Sequence, residues 1–159
     1  MCTRCAQLLW RRSDVNEEAT PGLLRAVAAW RPEAVALFEQ IVPDFSEIAA
    51  LNPQIVEHRG CILNRRALDN PHLSQWFEDR FGDGQREYVL NHVHLWDIAW
   101  MPNEAGPAEE VTARLRAFLP TLAEFWRWSL ARQASRHLAV WTADDPEEYG
   151  PTIGFESVR

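Results

Sequence analysis

The chain has 159 residues, of which 47% are hydrophobic, and a formal net charge of −7. This length is typical of one domain, and the eight Trp and seven Phe residues indicate a packed protein rather than a disordered one. Every basic side chain other than His is an Arg, which excludes Schiff-base and phosphate-loop lysine chemistry. The acidic balance disfavours nucleic-acid binding, which depends on neutralising phosphates.

The sequence also constrains location and domain organisation. Charges or prolines interrupt each apolar run well before the roughly 18 residues that a membrane span needs. The apolar run near the N-terminus is too short for a signal peptide. Three cysteines form an odd set, which favours reduced thiols or a metal over disulfides. We therefore expect a cytoplasmic protein without a membrane segment, folded as one domain over 1–159 with 1–15 loosely ordered.

Three helices are predicted in the first third of the chain. Thr20 and Pro21 have the residue types of an N-cap and a first helical residue, and this helix is expected to end near Trp30. Pro32 opens a second helix, because it biases the residue before it towards extended angles. Capping-box spacing predicts a third helix over Phe45–Leu51.

The middle of the chain carries weaker signals. The stretch Ile55–Leu63 has the β-branched content of a strand but poor alternation. Asn70 and Pro71 repeat the cap-plus-proline signal and predict a helix that stops at Gly82. A helical pattern fits Arg86–Trp100 better than a strand pattern, and both interpretations remain open there.

The C-terminal part of the chain combines a long helix with two strands. The longest helical pattern follows Pro107, and Pro120 lies inside it, so a kink or a break into two helices is expected. Two strand patterns, Leu138–Thr142 and Thr152–Val158, flank a turn-rich segment. The predicted fold class is α+β: a predominantly helical single domain with a small antiparallel β-sheet formed by a C-terminal hairpin.

A His-x-His-x-x-Asp motif is the first candidate site. His92 and His94 are candidate metal ligands, and Asp97 is a candidate third ligand. Residues two apart share one face of a strand, whereas in a helix they lie about 200° apart. The preference for a helix therefore counts against a shared ion and instead predicts a hydrogen-bonded couple of His94 and Asp97.

A second candidate metal site combines Cys2 and Cys5 with His58 and Cys61. Four ligands in two closely spaced pairs suit tetrahedral Zn²⁺. The long separation of the pairs, and the fraying expected of a chain terminus, favour a simpler interpretation. In that interpretation Cys61 is a small buried hydrophobic residue.

Aromatic side chains form the third candidate site. Trp126 and Trp128 cannot both face the same side of a helix, so one of them is expected to be partly exposed. Together with Trp141 and Arg127 they form a candidate partner-binding surface, because interfaces favour Trp and Arg.

Two functional hypotheses follow from these candidate sites. The first is a non-catalytic accessory protein, such as an adaptor, an inhibitor or a partner subunit, that binds a protein or peptide and needs no cofactor. The alternative is a small metal-dependent enzyme built on the His-x-His-x-x-Asp motif, with Zn²⁺ or Fe²⁺ as the ion.

Overall fold

The computed structural model describes residues 16–78, 81–99, 108–145 and 150–158. The helices are α1 (Asn16–Trp30), α2 (Val35–Ile41), α3 (Asp83–Leu90), α4 (Leu95–Ile98) and α5 (Ala108–Gln133), and short 3-10 helices lie between some of them. The strands are β1 (Ile55–His58), β2 (Cys61–Asn64), β3 (Val93–His94), β4 (Leu138–Asp145) and β5 (Gly150–Ser157). The predicted α+β class, mostly helical with a small antiparallel sheet near the C-terminus, is confirmed.

The core forms where α5 packs against the N-terminal helices. Phe38 of α2 contacts Phe118 and Phe125 of α5 edge to face, with ring centroids 5.0 and 5.5 Å apart. Trp30 at the end of α1 also contacts Phe125, at 5.5 Å. Such aromatic pairs stabilise a core beyond the area that they bury. One Trp and three Phe residues are therefore used in packing α1, α2 and α5 together.

Two helix predictions need correction at a proline. The first helix begins at Asn16 rather than at Pro21, which lies inside it. The predicted break at Pro120 does not occur, since α5 is continuous from Ala108 to Gln133. Pro120 is exposed, so the carbonyl group that loses its helical partner faces water rather than the core.

The predicted helix over Phe45–Leu51 is wrong in its first half. Phe45 instead forms an isolated antiparallel bridge with Ala99. The backbone N–H and the hydroxyl of Ser46 both donate to the carbonyl of Ile98, at 2.8 and 3.0 Å. A 3-10 helix covers only the last four residues. Pairing with the end of α4 overrides the local capping signal.

The predicted helix from Asn70 to Gly82 is reduced to a 3-10 helix, Leu73–Phe77, and Glu78 after it is extended. The carbonyl of Trp76 accepts a hydrogen bond of 2.8 Å from Nε of Arg86. A side chain of α3 therefore satisfies a carbonyl group that an α-helix would have used internally.

The stretch Ile55–Leu63 is a hairpin rather than one strand. β1 and β2 pair antiparallel, with His58 opposite Cys61. Between them Arg59 and Gly60 have φ angles of 49° and 83°. Two consecutive positive φ angles are those of the tight turn that suits the twist of a two-residue hairpin. The turn explains why the alternation of the sequence fails in this stretch.

The C-terminal sheet has the strand order β3-β5-β4, and both pairings are antiparallel. The predicted hairpin is formed by β4 and β5, and β3 adds a third strand on the other side of β5. In this pairing Val93 lies opposite Ile153, and His94 lies opposite Thr152. None of the described helices combines the length and apolarity needed to cross a bilayer.

Candidate functional site

A cavity of about 640 Å³ opens between the 3-10 helix Arg65–Asp69, the C-terminal end of α3 and the segment 92–98. Its apolar wall includes Trp76, Leu90 and Ile98. Its polar wall contains Glu47, Asn64, Arg66, Asp69, Asn70, His92, His94 and Asp97. All three residues of the His-x-His-x-x-Asp motif therefore line one cavity.

Asn91 determines where α3 ends and how the histidines are presented. Its buried side chain accepts a hydrogen bond from the backbone N–H of Asn64, at 2.7 Å. Its amide group donates to the carbonyls of Ile62 and Phe155, at 2.8 and 3.2 Å. A side chain bonded to both β2 and β5 fixes the chain at this point, and beyond it the backbone is extended. The helix prediction for Arg86–Trp100 is thus correct as far as Leu90 and again over α4, and wrong for the extended residues between them.

The two histidines of the motif face each other across a short distance. Because the chain is extended here, residues two apart project to the same side. Nε2 of His92 lies 3.1 Å from Nε2 of His94, and the ring planes meet at 73°. The strand interpretation is correct at this position, and the preference for a helix is wrong there. Within the described residues Asp97 does not form the predicted couple with His94.

The opposite nitrogen of each ring bonds to the surrounding structure. Nδ1 of His92 lies 2.5 Å from the carbonyl of Val89, and a carbonyl only accepts, so this nitrogen carries hydrogen. Nδ1 of His94 lies 2.8 Å from the hydroxyl of Thr152, which itself donates to the carbonyl of Gly150 at 3.0 Å. A hydroxyl has one proton, so Nδ1 of His94 is also the donor. In the neutral rings both Nε2 atoms are therefore acceptors.

Two acceptor nitrogens at this distance suit a shared cation. Two Zn–N bonds of about 2.0 to 2.1 Å at a tetrahedral angle place their nitrogens about 3.3 Å apart, close to the 3.1 Å observed. Metal-binding histidines typically donate their other ring N–H to a carbonyl or another acceptor, which fixes the tautomer. The arrangement of His92 and His94 can therefore hold one transition-metal ion, or one proton, between the rings.

The carboxylates around the cavity do not complete a three-ligand site. Asp97 is exposed in the first turn of α4. Among the described residues, no group of three or more His, Cys, Asp or Glu side chains is placed to hold a single ion. An ion at the histidine pair would therefore keep its remaining coordination positions open towards the cavity.

The charges that line the cavity are mostly negative. Arg66 is paired with Glu47 at 2.6 Å, so these two side chains cancel each other. Asp69 and Asp97 have no ion-pair partner in the parts of the chain that the structure describes. Apart from the histidines, the cavity therefore carries two uncompensated negative charges, which favour a cation.

The second candidate metal site is brought together only in part. His58 and Cys61 are cross-strand partners next to the β1–β2 turn. His58 packs edge to face against Phe77, with ring centroids 5.1 Å apart, and Cys61 is fully buried. Cys2 and Cys5 lie outside the described residues. The buried position of Cys61 agrees with its interpretation as a small hydrophobic residue.

The structure separates the residues of the predicted partner-binding surface. Trp126 is fully buried and donates from Nε1 to the carbonyl of Leu51 at 3.0 Å, so it is a core residue. Trp128 is half-buried, with its ring stacked on Phe125 and Arg132 above it. The sequence argument that one of these two Trp residues is partly exposed is therefore correct, and the exposed one is Trp128.

Trp141 contacts a different part of the molecule from Trp128. Its ring is half-buried and stacks on Tyr88 of α3, with ring centroids 4.4 Å apart and planes at 17°. It also covers Gly154, where a Cβ atom would collide with the indole ring. Arg127 is exposed and donates to the carbonyl of Val140 at 3.5 Å. Trp141 therefore belongs to the outer face of the C-terminal sheet.

Sequence reasoning missed the polar residues that support the cavity. Glu87 and Asn91 are fully buried, four residues apart on one face of α3 and its C-cap. Their spacing is visible in the sequence, but no local pattern distinguishes a buried polar residue from one that faces solvent. Asn64 and Thr152 are also buried, and their positions next to the histidines depend on strand pairing that no local pattern reveals.

Comparisons of the chain with protein-family models, with curated proteins and with solved structures found no match.

Proposed function

We propose that His92 and His94 bind one divalent transition-metal ion through their Nε2 atoms, and that the protein is a small metal-dependent enzyme. The observation that carries this proposal is the 3.1 Å separation of the two Nε2 atoms. Imidazole nitrogen suits Zn²⁺ and Fe²⁺ among other ions. Catalytic metal sites keep a coordination position open for water or substrate, and the adjoining cavity offers that access.

Metal binding is the direct test of the proposal. Purified protein titrated with Zn²⁺ in a calorimeter is expected to bind one equivalent, whereas His92→Ala and His94→Ala are each expected to weaken that binding at least tenfold. Each change removes one of the two nitrogen ligands. Fe²⁺ titrated without oxygen provides the comparison between the two proposed ions.

His137→Ala is the matched control, because His137 is an exposed histidine outside the cavity. Its Zn²⁺ affinity should equal that of the wild type. The proposal fails if wild-type protein binds no stoichiometric Zn²⁺ or Fe²⁺, or if all three variants bind the ion equally well.

Thr152→Val tests the support of the metal ligand. The change keeps the shape of the side chain but removes the hydroxyl that accepts from Nδ1 of His94. Loss of such an outer partner typically costs a factor of about 10 to 100 in metal affinity. We expect the Kd for Zn²⁺ to rise about tenfold, while Thr152→Ser, which keeps the hydroxyl, and Thr142→Val, on exposed strand β4, leave it unchanged. Equal affinities in all three variants would show that Thr152 does not position the ligand.

A second candidate function is binding of a protein or peptide partner without catalysis. One observation favours it: Tyr88, stacked on Trp141, keeps 46% of its surface exposed. Arg127 lies next to β4 at the edge of the same sheet, and interfaces favour Arg and aromatic residues. The zinc titration separates the two proposals, because this role needs no metal. Under either proposal we place the protein in the cytoplasm, because an odd number of cysteines favours a reducing compartment.

A further inference from the structure

Asn64 is a largely buried residue at the wall of the cavity. Only 3% of its surface is exposed, and it lines the cavity together with the histidines. Its side-chain oxygen accepts from the backbone N–H of Arg66 at 3.2 Å and so caps the 3-10 helix that follows. Because only the oxygen of an amide group can accept this bond, the bond shows which of the two side-chain atoms is the oxygen and which is the nitrogen.

The amide nitrogen of Asn64 donates no hydrogen bond in the described parts of the chain. Although the residue is largely buried, this nitrogen is partly accessible rather than buried without a partner, and Asn64 lines the cavity. A donor on a cavity wall that pairs with no described protein group is available to an acceptor atom on a ligand. Carbonyl oxygens are acceptors of the right type, since they carry two lone pairs and no hydrogen.

The charge of the cavity points to an uncharged ligand. Asp69 and Asp97 are uncompensated, while Glu47 and Arg66 cancel each other. The divalent ion of the proposed function would balance the two carboxylates. The apolar wall, with Trp76 and Leu90, would then contact a hydrocarbon part of the ligand.

We infer that Asn64 is a substrate-binding residue, and that its amide group donates to the carbonyl oxygen of an uncharged amide or ester held in the cavity. The inference rests on the proposed function, because the cavity is uncharged only when the metal is bound. The assignment of the donor itself rests on the burial and hydrogen bonds of Asn64 alone.

Benzamide is a suitable probe, since it joins an uncharged carboxamide to an apolar ring, and benzylammonium is its cationic counterpart without a carbonyl group. Both are titrated into zinc-loaded protein and followed by NMR chemical shifts. Asn64→Asp keeps the oxygen that caps Arg66 but replaces the donor with an acceptor. We expect this change to raise the Kd of benzamide at least tenfold. Benzylammonium, which has no carbonyl group for Asn64 and carries a charge that the neutral cavity disfavours, should bind the wild type more weakly than benzamide does and should lose no affinity in the variant.

Asn70→Asp is the matched control. Asn70 also lines the cavity, and its side-chain oxygen also accepts a local backbone bond, from His72 at 2.9 Å, but the residue is only half-buried. This variant adds the same charge and is expected to change the Kd of benzamide less than threefold. The inference is overturned if wild-type protein does not bind benzamide at millimolar concentration, or if the two variants weaken it equally.

The metal titration keeps the two proposals apart. If the protein binds zinc but Asn64→Asp does not change the Kd of benzamide, the proposed role of Asn64 is overturned and the proposed metal site stands. Conversely, if the protein binds no metal but Asn64→Asp alone weakens benzamide binding, the proposed metal site is overturned and Asn64 remains a ligand-binding donor.

Discussion

Replacing Glu87 with alanine is expected to lower the free energy of unfolding by about 3 to 4 kcal/mol. Glu87 of α3 is fully buried. Its carboxylate accepts from the backbone N–H groups of Ile62 and Ser157, at 2.8 and 2.6 Å, and from the hydroxyl of Ser157 at 3.0 Å. Alanine would leave these donors unpaired inside the protein, at roughly 1 to 3 kcal/mol for each unpaired group. Urea unfolding followed by circular dichroism measures the loss.

Two further variants make the result specific to hydrogen bonding. Glu87→Gln keeps one accepting oxygen but turns an NH₂ group towards a donor. Its free energy of unfolding should therefore lie between that of the wild type and that of Glu87→Ala. Glu39→Ala changes an exposed glutamate of α2 and should stay within about 0.5 kcal/mol of wild type. If Glu87→Ala loses less than about 1 kcal/mol, the carboxylate does not join α3 to the two sheets.

The buried carboxylate also explains how the candidate site is held in position. Glu87 joins α3 to β2 through Ile62 and to β5 through Ser157. One turn later, Asn91 bonds to the same two strands. Since His92 follows directly, the position of its ring depends on these two polar side chains rather than on apolar packing alone. The position of the histidine pair is therefore the product of a hydrogen-bond network that joins α3, β2 and β5.

The fold class could be predicted because its largest elements carry local signals. The long helix α5 has an apolar stripe, and the two strands of the C-terminal hairpin flank a turn-rich segment. These predictions are correct because each depends only on residues that are close together in the sequence. The interior Pro120 misled the prediction because a proline on the exposed face of α5 frees a carbonyl group that water can pair with, so the helix continues through it.

The histidine pair shows why the candidate site was harder to predict than the fold. Hydrophobic periodicity averages over a window, and the window Arg86–Trp100 contains a helix, a two-residue strand and a second helix. The break lies at Asn91, whose bonds reach residues 27 to 64 positions away in sequence. Such contacts leave no mark on local periodicity. The motif was found by residue type, but its geometry followed from tertiary structure.

The opposite error occurred at the aromatic residues. The sequence makes Trp126, Trp128 and Trp141 candidates for a partner-binding surface, because interfaces favour Trp and because one of the two helical Trp residues is expected to be partly exposed. In the structure Trp126 is instead a core residue that contacts Leu51 and Phe155. A helix shows which Trp residues share a face, but not which face is covered.

Trp126→Ala is accordingly expected to destabilise the fold by about 3 to 5 kcal/mol, as is typical of deleting a buried large aromatic side chain. The change removes the edge-to-face contact with Phe155 and leaves the carbonyl of Leu51 without the Nε1–H donor. Trp128→Ala is the matched variant, two residues further along the same helix, and its half-buried ring should cost about 1 to 2 kcal/mol. Thermal and urea unfolding of the two variants measure the difference. Equal losses would mean that the two indoles are equally covered, and a stable Trp126→Ala would contradict the core position of Trp126.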